Sequence, residues 1–137
     1  MDEHREMKVT PDRYLTYRYA GASVDYNPIH IDEEFAKSVG LPGRILHGLW
    51  TMAQVARAQT EAGGGPESLK RLAVQFRGMG FPEQEITITS AVREERDGEI
   101  VVTGTVREVR EDVAVVDTEA EQAGSKIIRN AEAEIAL

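Results

Sequence analysis

Residues 45–62 read ILHGLWTMAQVARAQTEA, and the apolar residues Ile45, Leu46, Leu49, Trp50, Met52, Ala53, Val55 and Ala56 fall on nearly every side of a helix. A helix of that kind has to be enclosed by other protein. Its uncharged part, Ile45 to Ala56, is well short of the roughly 18 to 20 residues that cross a bilayer, so no membrane contact is expected. Gly63-Gly64-Gly65-Pro66 ends the helix. That run lacks the Gly-Lys-Ser/Thr ending of a phosphate loop and reads as a connection only.

Downstream the hydrophobic period changes. Leu72 to Phe76, Glu85 to Glu94, Glu99 to Val109, Val113 to Glu121 and Lys126 to Leu137 are rich in β-branched residues and separated by turn residues, the pattern of successive antiparallel strands. Asp97-Gly98 is a strong hairpin signal; Arg110-Glu111-Asp112 and Ala123-Gly124-Ser125 are weaker ones. One apolar helix followed by a four- or five-stranded meander has a natural packing solution. The sheet curls round the helix and both bury their apolar faces, an α+β architecture known as the hot-dog fold, here a curved antiparallel sheet wrapped around a long central helix. Such a sheet leaves an edge strand open, and pairing that edge with a second chain protects it. A dimer is therefore expected.

Upstream of the central helix, Met7 to Val9 reads as a short strand. Thr10-Pro11 then offers a cap and a first-turn proline for a helix from Pro11 to about Ala22, with Tyr14, Leu15, Arg18 and Tyr19 forming one stripe. Ser23 to Ile31 reads as an ordered loop, because Pro28 drives Asn27 out of the helical region. Asp32 caps a short helix to Val39, with Glu33 and Glu34 in its first turn and Gly40 at its end.

The chain has 137 residues, 41% of them apolar and 29% charged, which fits one globular domain spanning 1–137. The net charge of -8 argues against nucleic acid as a partner. With no cysteine, thiolate chemistry and cysteine metal sites are excluded. Met1 to Lys8 is charged from its second residue and has no secretory apolar stretch, so a cytoplasmic location is expected.

Of three histidines, His30 stands five residues after Asp25 in Asp25-Tyr26-Asn27-Pro28-Ile29-His30, across a turn that can fold the two together. A carboxylate and an imidazole sharing one water form a general acid/base pair suited to adding or removing water at a double bond. The plain structural alternative is that Asp25 closes an Asx turn and His30 binds backbone groups. His47 could serve as a second base but reads first as a packing and hydrogen-bonding residue at a helix start, and Trp50 reads as core or acyl-pocket lining. Asp25, His30 and His47 contain neither a His-x-His pair nor an HExxH helix, so no metal is expected.

Taken together, Tyr19 to His30, Ile45-Leu46-His47-Gly48 and Phe76-Arg77-Gly78-Met79-Gly80-Phe81-Pro82 resemble blocks of the MaoC-like hydratase/dehydratase family, which includes (R)-specific enoyl-CoA hydratases and (3R)-hydroxyacyl-ACP dehydratases. The resemblance covers most of the chain. It implies interconversion of trans-2-enoyl and (3R)-3-hydroxyacyl thioesters, acyl-CoA or acyl-ACP substrates, no cofactor, and a homodimer or a heterodimer with a homologous subunit. It implies Asp25 and His30 as the catalytic pair and the Gly48 amide as oxyanion donor; Asn27, placed to hold the loop or orient the water, is read beside His47 and Trp50 as a candidate substrate-binding residue. Val24 stands where the family frequently has glycine, and Pro82-Glu83-Gln84 replaces its usual Pro-Gly-Asp. A hot-dog thioesterase is the enzymatic alternative, but 45–62 has no acidic residue before Glu61, where thioesterases carry a carboxylate on or beside the helix. A non-catalytic acyl-binding subunit is the other, and the presence of both Asp25 and His30 argues against it.

Overall fold

The computed structural model describes residues 4–76, 78–96, 100–102, 105–108, 113–122 and 125–136. In chain order these form β1 (His4–Val9), α1 (Leu15–Ser23), α2 (Pro28–Ile31), α3 (Glu33–Ser38), α4 (Gly48–Gly63), a short 3-10 turn (Pro66–Ser68), β2 (Leu69–Phe76), β3 (Ile86–Arg96), β4 (Ile100–Val102), β5 (Thr105–Glu108), β6 (Val113–Gln122) and β7 (Ser125–Ala136). Five strands make one antiparallel sheet in the order β1-β3-β6-β7-β2, and α4 lies across it in contact with β2, β3, β6 and β7. This is the expected hot-dog arrangement.

Its wiring departs from a meander. The segment 77–85 carries the chain from β2 at one edge to β3 beside the other, and β1 from the N-terminus completes the sheet. The stretch expected as one strand, Glu99 to Val109, contributes β4 and β5, which among the described residues pair with each other in a separate two-stranded sheet. The Asp97-Gly98 and Arg110-Glu111-Asp112 turns and residues 123–124 lie outside the described residues. Gln122 pairs with Ser125, so β6 and β7 run as hairpin neighbours across the expected third turn.

Alternation explains how β3 holds the helix. In Ile86-Thr87-Ile88-Thr89-Ser90 every second residue, Ile86, Ile88 and Ser90, is buried, as a pleated strand with one face on the core requires. Ile86 and Ile88 join Leu46, Trp50, Val55 and Ile128 in the main core, with Met7, Val9, Leu15, Tyr19, Leu72 and Val74 packed against it. Burying one such aliphatic side chain contributes about 1.5 to 3 kcal/mol. Gln59 of α4 is fully buried and donates through Nε2 to Ser90 Oγ at 3.0 Å, which keeps two polar groups satisfied between helix and sheet.

The full enclosure expected of 45–62 is not complete within one chain. Leu49 is 63% exposed, and Ala53 and Arg57, which follow it at helical spacing, are also exposed. The helix itself begins at Gly48 rather than Ile45, because Ile45 and Leu46 spend their N–H groups elsewhere, on Ile29 O at 3.1 Å and Gly80 O at 2.8 Å. At the other end Gly64, at φ +93°, supplies the left-handed C-cap.

Two more expectations shift. The first helix starts at Leu15, not Pro11: Asp12 Oδ1 accepts the Tyr14 N–H at 2.8 Å, and the buried Pro11 instead gives its carbonyl to Glu83 N–H at 2.7 Å. Its inward face is Leu15, Thr16, Tyr19 and Ala20, while Tyr14 is exposed and Arg18 pairs with Asp12. The loop expected from Ser23 to Ile31 ends in α2, where Asn27 (φ -55°, ψ 126°) lies outside the helical region as Pro28 demands and caps the turn that Pro28 begins. Asp32 caps α3 as expected, accepting from Phe35 N–H at 3.0 Å.

Candidate active site

Asp25 and His30 are brought together by three adjoining pieces: the left-handed end of α1, the Asn27 cap, and α2. Val24 at φ 62° turns the chain out of α1. Asp25 Oδ1 then accepts the Asn27 N–H at 3.2 Å, and Asn27 Oδ1 accepts the Ile29 N–H at 3.2 Å, two successive Asx turns that aim α2 back toward α1. His30, on α2, sends Nδ1 to Ile45 O at 2.8 Å, just before α4.

Asp25 and His30 each divide their two polar side-chain atoms between the local backbone and the other residue. Asp25 uses Oδ1 for the turn, and its Oδ2 lies 3.9 Å from His30 Nε2. His30 uses Nδ1 for the Ile45 carbonyl, so that nitrogen carries the hydrogen and Nε2 presents its lone pair toward Asp25. A separation of 3.9 Å is too long for a direct hydrogen bond and leaves room for one water about 2.8 Å from each atom. His30 is buried, whereas the Asp25 side chain is half exposed, so the pair is reached from the carboxylate side.

Burial pushes the His30 imidazole below its ordinary range; the Ile45 hydrogen bond opposes this, the neighbouring His47 adds to it, and Asp25 opposes it. The result is a neutral ring at neutral pH, the form able to accept a proton.

His47 is buried beneath this pair. Its Nε2 donates to the Asp25 backbone carbonyl at 3.0 Å, its ring stacks on His30 with centroids 3.8 Å apart and planes 23° from parallel, and Tyr19 tilts against its edge at 4.8 Å. Gly48 follows as the first residue of α4, where the N–H has no partner within the helix and the helix dipole favours negative charge. A Cβ at Gly48 would meet the Phe76 ring at 3.1 Å, so the aromatic ring sits against the helix start. Asn27 is committed through Oδ1 to its cap on the Ile29 N–H. Trp50 packs in the main core.

Asp25, His30 and His47 each bring a ligand-type atom within 4.8 Å of the others. Two stacked imidazoles direct their in-plane lone pairs along neighbouring planes instead of at one point. The trio is thus arranged better for moving a proton than for holding an ion.

A family model described as MaoC like domain matches residues 1–114. The chain belongs to this family. Over 73 residues the MaoC-like chain is 42% identical to the fatty acid synthase subunit beta of Aspergillus oryzae, 51% of this chain and 4% of that one. Over 79 residues it is 39% identical to the peroxisomal enoyl-CoA hydratase 2 of Arabidopsis thaliana, 56% of this chain and 25% of that one. It thus spans a quarter or less of these curated relatives. An (R)-hydratase from A. caviae involved in PHA biosynthesis shares the fold, with a TM-score of 0.80, 18% identity, and coverage of 98% of this chain and 93% of that one.

Sequence reasoning did not single out Tyr19 or Phe76 as neighbours of the site. Both lie inside the motif blocks, but their contacts depend on α1 and β2 meeting the start of α4, which no local pattern encodes. Arg44 is a third such residue. It donates to Thr16 Oγ1 at 2.7 Å and to Arg13 O at 3.1 Å and pairs with Glu33 at 3.4 Å, tying α1 to α3 around the loop that bears Asp25.

Proposed function

We propose that this MaoC-like chain is a hydratase/dehydratase that interconverts trans-2-enoyl and (3R)-3-hydroxyacyl thioesters, carried by CoA or acyl carrier protein. The observation carrying the proposal is the 3.9 Å gap between Asp25 Oδ2 and neutral His30 Nε2 beside the start of α4. In hydration, a water in that gap gives a proton to the pair as its oxygen bonds to the β-carbon. The π electrons move toward the thioester carbonyl, and the resulting enolate oxygen is stabilised by the Gly48 N–H and the α4 dipole. The proton held by the pair is then delivered to the α-carbon, so the elements of water are added and the site returns to its starting state. Dehydration is the reverse.

The exposed Leu49 and Ala53 face of α4 and the outer edges of β1 and β2, which pair with no further strand among the described residues, support a dimer with a second copy or a homologous subunit. Absorbance at the conjugated enoyl band, followed with crotonyl-CoA and longer enoyl-CoAs, tests the activity. Loss of the band without thiol release is expected. Thiol release, with no hydration at any chain length, would instead identify a thioesterase.

A further inference from the structure

We infer that His47 is a positioning residue that sets both halves of the pair, anchoring Asp25 through its backbone and holding the His30 ring by its face; this rests on reading Asp25 and His30 as the acid/base pair. One side chain touches both. The Asp25 carbonyl accepts from His47 Nε2 at 3.0 Å, immediately after Val24 in its left-handed conformation, where the Asp25 N–H also reaches Ser23 Oγ at 3.3 Å and Asp25 Oδ1 closes the turn to Asn27. The same ring lies 3.8 Å from His30 and covers one of its faces. His47 is only 2% exposed, and among the described residues its Nδ1 has no hydrogen-bond partner. A residue serving packing alone has no need of that buried nitrogen, which an apolar ring would avoid at lower desolvation cost. The Nε2–H is what the site uses.

Because each ring gives one nitrogen to a backbone carbonyl, the two stacked histidines hold opposite tautomers: His30 carries its hydrogen on Nδ1 and His47 on Nε2. Among the described residues the titratable groups facing His30 are Asp25, from the loop before α2, and His47, from the start of α4; Tyr19 of α1 faces His47. His47 therefore contributes to where His30 titrates, in the direction that keeps it neutral.

Two variants separate the roles. His47→Gln keeps an N–H able to reach the Asp25 carbonyl but removes the ring, and His47→Phe keeps a ring but removes the donor. For His47→Gln the expected outcome is a His30 titration, and an acid limb of kcat/KM, moved to higher pH. For His47→Phe it is a kcat lowered about tenfold or more with KM nearly unchanged, as a misaimed acid/base group gives. Folded variants with wild-type kcat and wild-type His30 titration, differing only in melting temperature, would overturn the inference. Nitrogen-15 NMR of the wild-type rings tests it without any variant or substrate. The Nδ1–H form at His30 with the Nε2–H form at His47 supports it, and any other pairing of tautomers refutes it. Absence of hydration by the wild type would remove the proposed activity while leaving the NMR outcome to decide the packing claim.

Discussion

Val24 and Glu83 are the two non-glycine residues with positive φ among the described residues, at 62° and 67°. They are the same two positions at which the sequence resemblance leads to an expectation of glycine. Both residues bend the backbone into the left-handed region with a side chain in place, a strain of about 1 to 2 kcal/mol for an L-residue, more for β-branched valine. Val24 is 75% exposed, so no packing offsets it. Val24→Gly and Glu83→Gly should therefore each raise stability by about 1 kcal/mol, or roughly 4 °C in melting temperature, measured by thermal denaturation. No gain in either would mean that the bends relax without glycine. At His30 the depressed titration has two consequences. The native state binds fewer protons than the unfolded chain, so the contribution of His30 to stability is present above the ordinary histidine value of about 6.5 and is lost as pH falls through the lower native value. The acid limb of kcat/KM should likewise lie below that ordinary value, as a pH–rate profile would show.

Among the elements, α2 is the one that sets the reach of His30, and it is a single turn fixed by Asn27 and Pro28. Asn27→Ala removes the cap from Ile29 N–H, which should cost about 1 kcal/mol and lower the hydration rate, with Asn27→Ser recovering most of the stability. Both effects are read from urea denaturation and the enoyl assay. The Asp32 cap, the glycine stop of α4 and the departure of Asn27 from the helical region before Pro28 were legible because each is a local rule acting on neighbouring residues. The start of α1 was not, since Pro11 looks like a first-turn proline until its carbonyl is seen to serve Glu83 in a loop far along the chain. The order of the sheet was hidden for the same reason: β1 and β2 are placed at its edges by long-range pairing. At the site, the Asp25–His30 relation could be read from the turn residues between them, whereas the seat of His47 beneath both depends on where α4 begins.

At the scale of the molecule, the open Leu49–Ala53 face and two sheet edges predict that one chain does not stand alone in solution. Light scattering at micromolar concentration should give about twice the 15.2 kDa chain mass, and a clean single-chain mass would contradict the homodimer. In that assembly the start of α4, with Gly48 and the pair, would lie near the subunit boundary, so Leu49→Lys should weaken association and activity together. In the proposed reaction, one water held between Asp25 and His30 is the water that reacts. The most direct measurement is the rate of crotonyl-CoA hydration, by loss of enoyl absorbance, for folded Asp25→Asn, His30→Ala and the double variant. Each single change is expected to lower the rate at least about a hundredfold, and the double variant to be little worse than either, because the two act as a unit. Near-normal hydration by either single variant would contradict it.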